Sequence, residues 1–243
     1  MSRIFSTEGI IFKTIKYSES SIIADIYTRE KGLKSFIISG VRSARSNSKA
    51  AIIRTCNFVQ IIAYEQDAEK LSRIKEINLS LFYKNINMNV VVSSLAIFML
   101  ETSRNAIREK EPNNELYDFL KEWFMYLDED KNYSNLIHIK FLLEFSYFLG
   151  FGPLQNYSAE FPFFDMLEGS FCNYYDEANV HLISEEISFS IAKLLITDRC
   201  ALVDFTLSKD ERNKLTDHLI HFYKLHMSGF RDINSLDILR SVL

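Results

Sequence analysis

From residue 8 the chain alternates apolar and polar positions. The run EGIIFKTIKYS (8–18) predicts a first strand and SSIIADIYTRE (20–30) a second, because a period of two places every other side chain on one face of a sheet. Lys31 and Gly32 supply a short turn, after which LKSFIISGV (33–41) predicts a third strand. Residues 42–54, RSARSNSKAAIIR, lose that period and predict a loose or partly helical connection. TCNFVQIIAYE (55–65) and KLSRIKEINLS (70–80) resume it as a fourth and a fifth strand. Five short antiparallel strands in so few residues fit a small closed barrel of the OB type, the five-stranded form that holds oligonucleotides.

At Leu81 the period changes. Leu95, Phe98, Met99 and Thr102 fall on one helical face, so residues 82–109 predict one long helix or a broken pair. Pro112 opens the next helix, whose apolar stripe of Leu116, Phe119, Leu120, Trp123 and Leu127 is stopped by DEDKN at 128–132. Leu136 to Leu149 is apolar almost all round, the mark of a buried central helix, with Gly150 as its C-cap. Residues 151–183, rich in Phe and Tyr, predict an irregular stretch with a hairpin around FCNYYDEANVHLI. Helices follow at 184–197, at 209–228 with Ser208 as N-cap, and after Ser235. The class is α+β: a five-stranded OB-type barrel domain over residues 1–80 and an all-α helical domain over residues 81–243.

Charge sharpens this division. Residues 1–80 carry 7 Lys and 6 Arg against 8 Asp plus Glu, a surplus of five positive charges, while the whole chain is −4, which leaves the remainder at −9. A basic β module suits a phosphate backbone, and an acidic helical body does not. Only 7 Gly and 3 Pro favour long helices and short connections. The three cysteines, Cys56, Cys172 and Cys200, are odd in number and far apart, which fits a reducing cytoplasm rather than a disulfide framework. No cleavable signal and no 18-residue apolar run occur, so a cytoplasmic protein without a membrane span is expected.

Lys13, Lys16, Arg29, Lys31, Lys34, Arg42, Arg45, Lys49 and Arg54 lie close together in the barrel sequence and are the candidate DNA-binding set, since affinity for a phosphate chain grows with each neutralised phosphate. Tyr17, Tyr27 and Phe36 are candidate stacking surfaces for unpaired bases. His218, His221 and His226 on one helix lack a converging ligand set for a metal. No phosphate-binding glycine loop, nucleophile elbow or zincin motif is present, so no catalytic residue and no cofactor are expected.

Several of these residues also carry a resemblance. Glu8 and Gly9, the bend Tyr17 to Glu19, the turn Thr28 to Gly32 and the basic exit Gly40 to Arg42 resemble the N-terminal barrel of the bacterial recombination family RecO. LGFGP at 149–153 and the ending HMSGFRDINSLDIL resemble its helical part. The resemblance implies a non-enzymatic recombination mediator that binds single- and double-stranded DNA and anneals complementary strands. It further implies work with RecR, and in some members RecF, to load RecA onto strands coated by single-stranded DNA-binding protein. It also implies that the helical body receives the acidic C-terminal tail of that coating protein, for which Arg104, Arg108, Lys121, Lys131 and Lys140 are the candidate cations. Many members carry four zinc-binding cysteines after the LGFGP element. Residues 154–175 here hold only Cys172, so no zinc is expected, and Phe161, Phe163, Phe164 and Phe171 should hold the segment by packing. An RNA-binding OB module and a helical interaction scaffold with a structural barrel are the alternative readings; a hydrolase is the least favoured.

Overall fold

The computed structural model describes residues 3–41, 47–66, 71–108, 111–129 and 133–243. The chain packs as two compact units, Met1–Glu129 and Asp130–Leu243. The change of pattern near residue 80 therefore marks where strands give way to helices, while the first packing unit continues through the helices that follow.

In the first unit, β1 (Ile4–Lys16), β2 (Ile22–Thr28), β3 (Gly32–Ile38), β4 (Phe58–Tyr64) and β5 (Ser72–Leu79) close a barrel in the order β1-β2-β3-β5-β4, with a short helix α1 (Asn47–Ile52) between β3 and β4. This is the expected OB-type arrangement. The closing pair, β3 with β5, is parallel rather than antiparallel. β1 begins earlier than its predicted start at residue 8 and serves two neighbours, pairing with β4 from Ile4 to Ile10 and with β2 from Gly9 to Lys16. Gly9 sits where the two ladders meet. A Cβ there would lie 2.5 Å from the Ile26 side chain, so only glycine fits the bend.

The barrel interior is filled by alternate residues of each strand, among them Ile22, Ala24 and Ile26 of β2 and Phe36 and Ile38 of β3. A second apolar layer lies outside the barrel. Tyr27 and Phe58 are buried against Tyr117 and Phe124, and Phe12 stacks on Tyr27, with ring centroids 5.6–6.3 Å apart. Those two aromatics belong to α4 (Asn114–Asp128), whose predicted stripe is buried throughout. The predicted helix at 82–109 is a broken pair, α2 (Asn85–Met88) and α3 (Val90–Ala106). Asn89 takes an extended conformation between them and its side chain accepts from the N–H groups of Val91 and Val92.

The second unit is centred on α5 (Ile137–Phe148), buried on nearly every side and packed by α6 (Glu185–Ile196) and α7 (Lys209–His226). Ser208 and Glu211 form a reciprocal capping box at the start of α7. α8 (Ser235–Val242) ends the chain. The segment predicted as irregular contains a small sheet of β6 (Phe163–Asp165), β7 (Ser170–Cys172) and β8 (Leu182–Ile183), in the order β7-β6-β8. Both outer strands pair with β6, so the expected hairpin within residues 171–183 does not form. Gly150 ends α5 with φ +85°. Gly152 lies under the Tyr147 ring, 2.3 Å from where a Cβ would stand, and the Tyr147 hydroxyl donates to the Pro153 carbonyl. Among the described residues no helix is long and apolar enough to cross a membrane.

His138 of α5 is fully enclosed, with Nε2 at 3.0 Å from Thr216 Oγ1. Burial, reinforced by the positive charges of Arg212 and Arg240, pushes its pKa down to about 3. A histidine whose folded pKa is depressed favours the fold most above its ordinary pKa of 6.5, and this contribution is lost as pH falls from there toward 3. Urea titrations at pH 7 and pH 5 should therefore differ by about 2 kcal/mol from this group. A His138→Gln chain should show a correspondingly flatter profile; an equally steep one would assign the acid sensitivity to other groups.

Candidate nucleic-acid interface

The candidate cations among the described residues do not stand in equivalent places. Lys13 and Lys16 are exposed on the second half of β1, beyond the stretch that pairs with β4. Lys49 is exposed on α1 and Arg54 is exposed just after it. Arg29, in contrast, gives both Nε and Nη2 to the carboxylate of Asp118 on α4, at 3.0 and 2.7 Å. Lys31 reaches Glu65 at 3.2 Å and lies 5.4 Å from the Phe5 ring centroid. Its hydrogen bond, with the nearby charges of Arg3 and Lys34, holds the Glu65 carboxyl below its ordinary pKa. Arg29, Lys31 and Lys34 are thus gathered with acidic partners at the β2–β3 end of the barrel. Arg42 and Arg45 lie outside the described residues.

Two further cations belong with the exposed group and were not singled out from the sequence. Arg73 and Lys75 are exposed on β5 on either side of the inward residue Ile74, and Arg73 Nη2 donates to Ser39 Oγ at 3.1 Å. Their alternation with apolar positions is the signal that marks them.

The candidate stacking residues need correction. Tyr27 is 1% exposed, with its hydroxyl donated to the Asn113 carbonyl at 3.2 Å, and Phe36 fills the barrel interior. Neither offers a face to a base. Tyr17, in the β1–β2 turn, is 59% exposed.

The cations assigned to a protein partner also divide. Arg104 and Arg108 are exposed at the end of α3 and just beyond it. Lys121 pairs with Glu8 of the barrel at 2.8 Å. Lys131 lies outside the described residues. Lys140 belongs to the second unit and is 4% exposed. Its ammonium donates to the carbonyls of Leu194 and Leu195 at 2.9 and 3.2 Å and pairs with Glu144, which also accepts from Arg199. Desolvation lowers its pKa in spite of that carboxylate.

The segment matching the zinc-bearing one does not fit that metal. Cys172 is half-buried beside the Tyr174 carbonyl, and no group of three or more metal-ligating side chains converges among the described residues. Other groups perform the fastening. Asn156 makes two hydrogen bonds to the Phe171 backbone, and the Asp165 carboxylate accepts from Leu167 N, Glu168 N and the Tyr174 hydroxyl. Phe164 and Phe171 are buried edge to face with centroids 5.1 Å apart, and Phe163 stacks on Tyr175; Phe161 is only half-buried.

Residues 1–83 match the family model described as Recombination protein O N terminal, and residues 90–233 match that described as Recombination protein O C terminal. The chain is 34% identical over 237 residues to the DNA repair protein RecO of Phocaeicola vulgatus, covering 97% of this chain and 98% of that one. It is 31% identical over 238 residues to the protein of that name from Flavobacterium psychrophilum, with 97% and 98% covered. Over 240 residues it is 29% identical to the one from Christiangramia forsetii, with 98% and 99% covered.

Proposed function

The chain belongs to the RecO family of DNA repair and recombination proteins, and from that premise we propose that it is a cytoplasmic mediator that binds single- and double-stranded DNA and anneals complementary strands. The observation that carries this reading is the set of exposed cations on an OB-type barrel and its α1 helix: Lys13, Lys16, Lys49, Arg54, Arg73 and Lys75. Each can neutralise a phosphate and release its counterions. Annealing asks for little else, because two strands pair spontaneously once their mutual repulsion is reduced. No nucleophile or metal enters this mechanism.

The same reading includes partners. RecR, and RecF where it is used, would cooperate in loading RecA onto strands coated by single-stranded DNA-binding protein. The acidic tail of the coating protein would meet Arg104 and Arg108, whose guanidinium groups suit carboxylates.

The test is an annealing assay on complementary strands, bare and coated, across a salt series. Faster duplex formation on both substrates, weakening as salt rises, is the expected result. Absence of salt-dependent nucleic-acid binding would leave the helical scaffold as the better reading. Tighter binding to RNA than to DNA of one sequence would favour the RNA-binding module.

A further inference from the structure

The first unit contains a groove of about 480 Å3. It is bordered by Thr14 of β1, by α1 and the turn after it, and by α2 and α3. Its walls include the buried Ile53, Ile86 and Ala96, with Ile97 half-exposed at the rim. Tyr83 closes one side by donating its hydroxyl to the Cys56 carbonyl at 3.0 Å, at a point where Cys56 turns the backbone with φ +73°. Among its described lining residues, Arg54 carries the formal charge. Lys13 and Lys16 flank Thr14 along β1, and Lys49 of α1 borders a second, smaller groove of about 240 Å3 together with Lys75.

A groove of ligand size whose walls mix apolar side chains with Thr14, Asn57, Asn87 and Ser93, and whose lining includes the cation Arg54, calls for a ligand that is flat with polar edges in one part and anionic in the next. A simple anion would leave the slot unfilled. A purely apolar ligand would make no use of Arg54, Lys13 and Lys16. A duplex keeps its bases stacked inside and has none to offer. An unpaired nucleotide meets each requirement: the base is desolvated between Ile53 and Ile97, its phosphate lies toward Arg54, and the neighbouring phosphates run along β1 and α1. We propose that this groove receives one unstacked base of a single-stranded nucleic acid.

The inference rests on the reading of the chain as a DNA-binding mediator and adds to it. A strand pinned by one inserted base and several phosphates keeps its other bases open to a complementary strand, so pairing can start before the strand is released.

The groove can be filled without disturbing the core, because Ala50 is an exposed residue of α1 that borders it, and leucine is a good helix former. The experiment compares a thymidine oligonucleotide with an abasic backbone of the same length, measured by fluorescence anisotropy on the full chain. The native protein should prefer the base-bearing strand by roughly 5-fold or more, the effect of taking about 40 Å2 of base surface out of water. Ala50→Leu should remove that preference and leave abasic binding unchanged. Equal native affinity for both strands, or a preference that survives Ala50→Leu, would overturn the groove assignment while leaving DNA binding in place. Failure to bind either strand would overturn the mediator reading as well. Photocrosslinking of a 4-thiothymidine strand to the native chain gives a second readout: attachment near Tyr83 and Ile97 is expected, and attachment confined to other regions refutes the proposal.

Discussion

Replacing Lys13, Lys16, Lys49 and Arg54 together by alanine should weaken single-stranded DNA binding several-hundred-fold at 0.1 M salt. Each lost phosphate contact removes about 0.7 from the slope of log affinity against log salt on a single strand, so four lower it by roughly 3. Between 1 M and 0.1 M salt that difference in slope becomes a factor of several hundred. All four residues are exposed, so their removal should leave the melting temperature nearly unchanged. Arg29→Ala is the internal comparison. Its guanidinium is held by Asp118, so it should cost a little stability and leave the salt slope as it was. A quadruple variant with the native slope would remove these four residues from the interface. A reduced slope in Arg29→Ala would show that the Asp118 pair opens to DNA.

Glu144→Gln should destabilise the second unit by about 2 kcal/mol, less than for a fully buried pair because Glu144 and Arg199 are part-exposed while Lys140 is not. Glu144 is the carboxylate shared by Lys140, which is almost wholly buried, and Arg199, whose Nε and Nη2 reach it at 2.9 and 2.6 Å. Glutamine keeps the shape and removes the charge, so two cations remain without their common anion. The Lys140 pKa, already lowered by desolvation, should fall further. A lysine with a depressed folded pKa regains its contribution to stability as pH rises toward its ordinary value of 10.5. The loss should therefore be largest near neutral pH and shrink by pH 10, and a loss independent of pH would point to packing instead. Lys140→Met should be milder, because it removes the cation together with its need for a partner.

The barrel was legible in the sequence because its strands keep a period of two: Ile22, Ala24 and Ile26 turn inward while Ile23 and Asp25 do not. Alternation failed where both faces are covered. Ile10, Ile11 and Phe12 are all buried, one toward the barrel interior and the others toward the helices, so β1 there has no polar side to read. Tyr27 became a candidate stacking residue for that reason, since only the fold reveals that α4 covers it. The parallel β3–β5 closure was invisible because it joins strands separated by α1 and β4.

Candidate cations were easy to find and hard to sort. Whether Arg29 is available to DNA depends on Asp118, 89 positions away, and no local pattern encodes such a pairing. Lys140 reads as a candidate cation for an acidic tail, yet the last carbonyls of α6 take its ammonium in a buried site. Conversely, Arg73 and Lys75 stand apart from the basic cluster of residues 13–54 in the sequence, and only the closed barrel brings β5 beside β3. The LGFGP element was legible as a motif, but its reason is local geometry: the left-handed turn at Gly150 and the close approach of the Tyr147 ring to Gly152.

The aromatic layer outside the barrel bears on how this chain is made. Synthesis delivers residues 1–80 first, and at the pace of a ribosome a small barrel has ample time to close before α4 emerges. Such a barrel would carry Ile10, Phe12, Tyr27 and Phe58 on an uncovered wall until Tyr117 and Phe124 arrive. For that interval the nascent chain is adhesive. A polypeptide terminated at residue 80 would be left permanently in that condition and prone to associate with itself, whereas one terminated at Glu129 would carry its own cover.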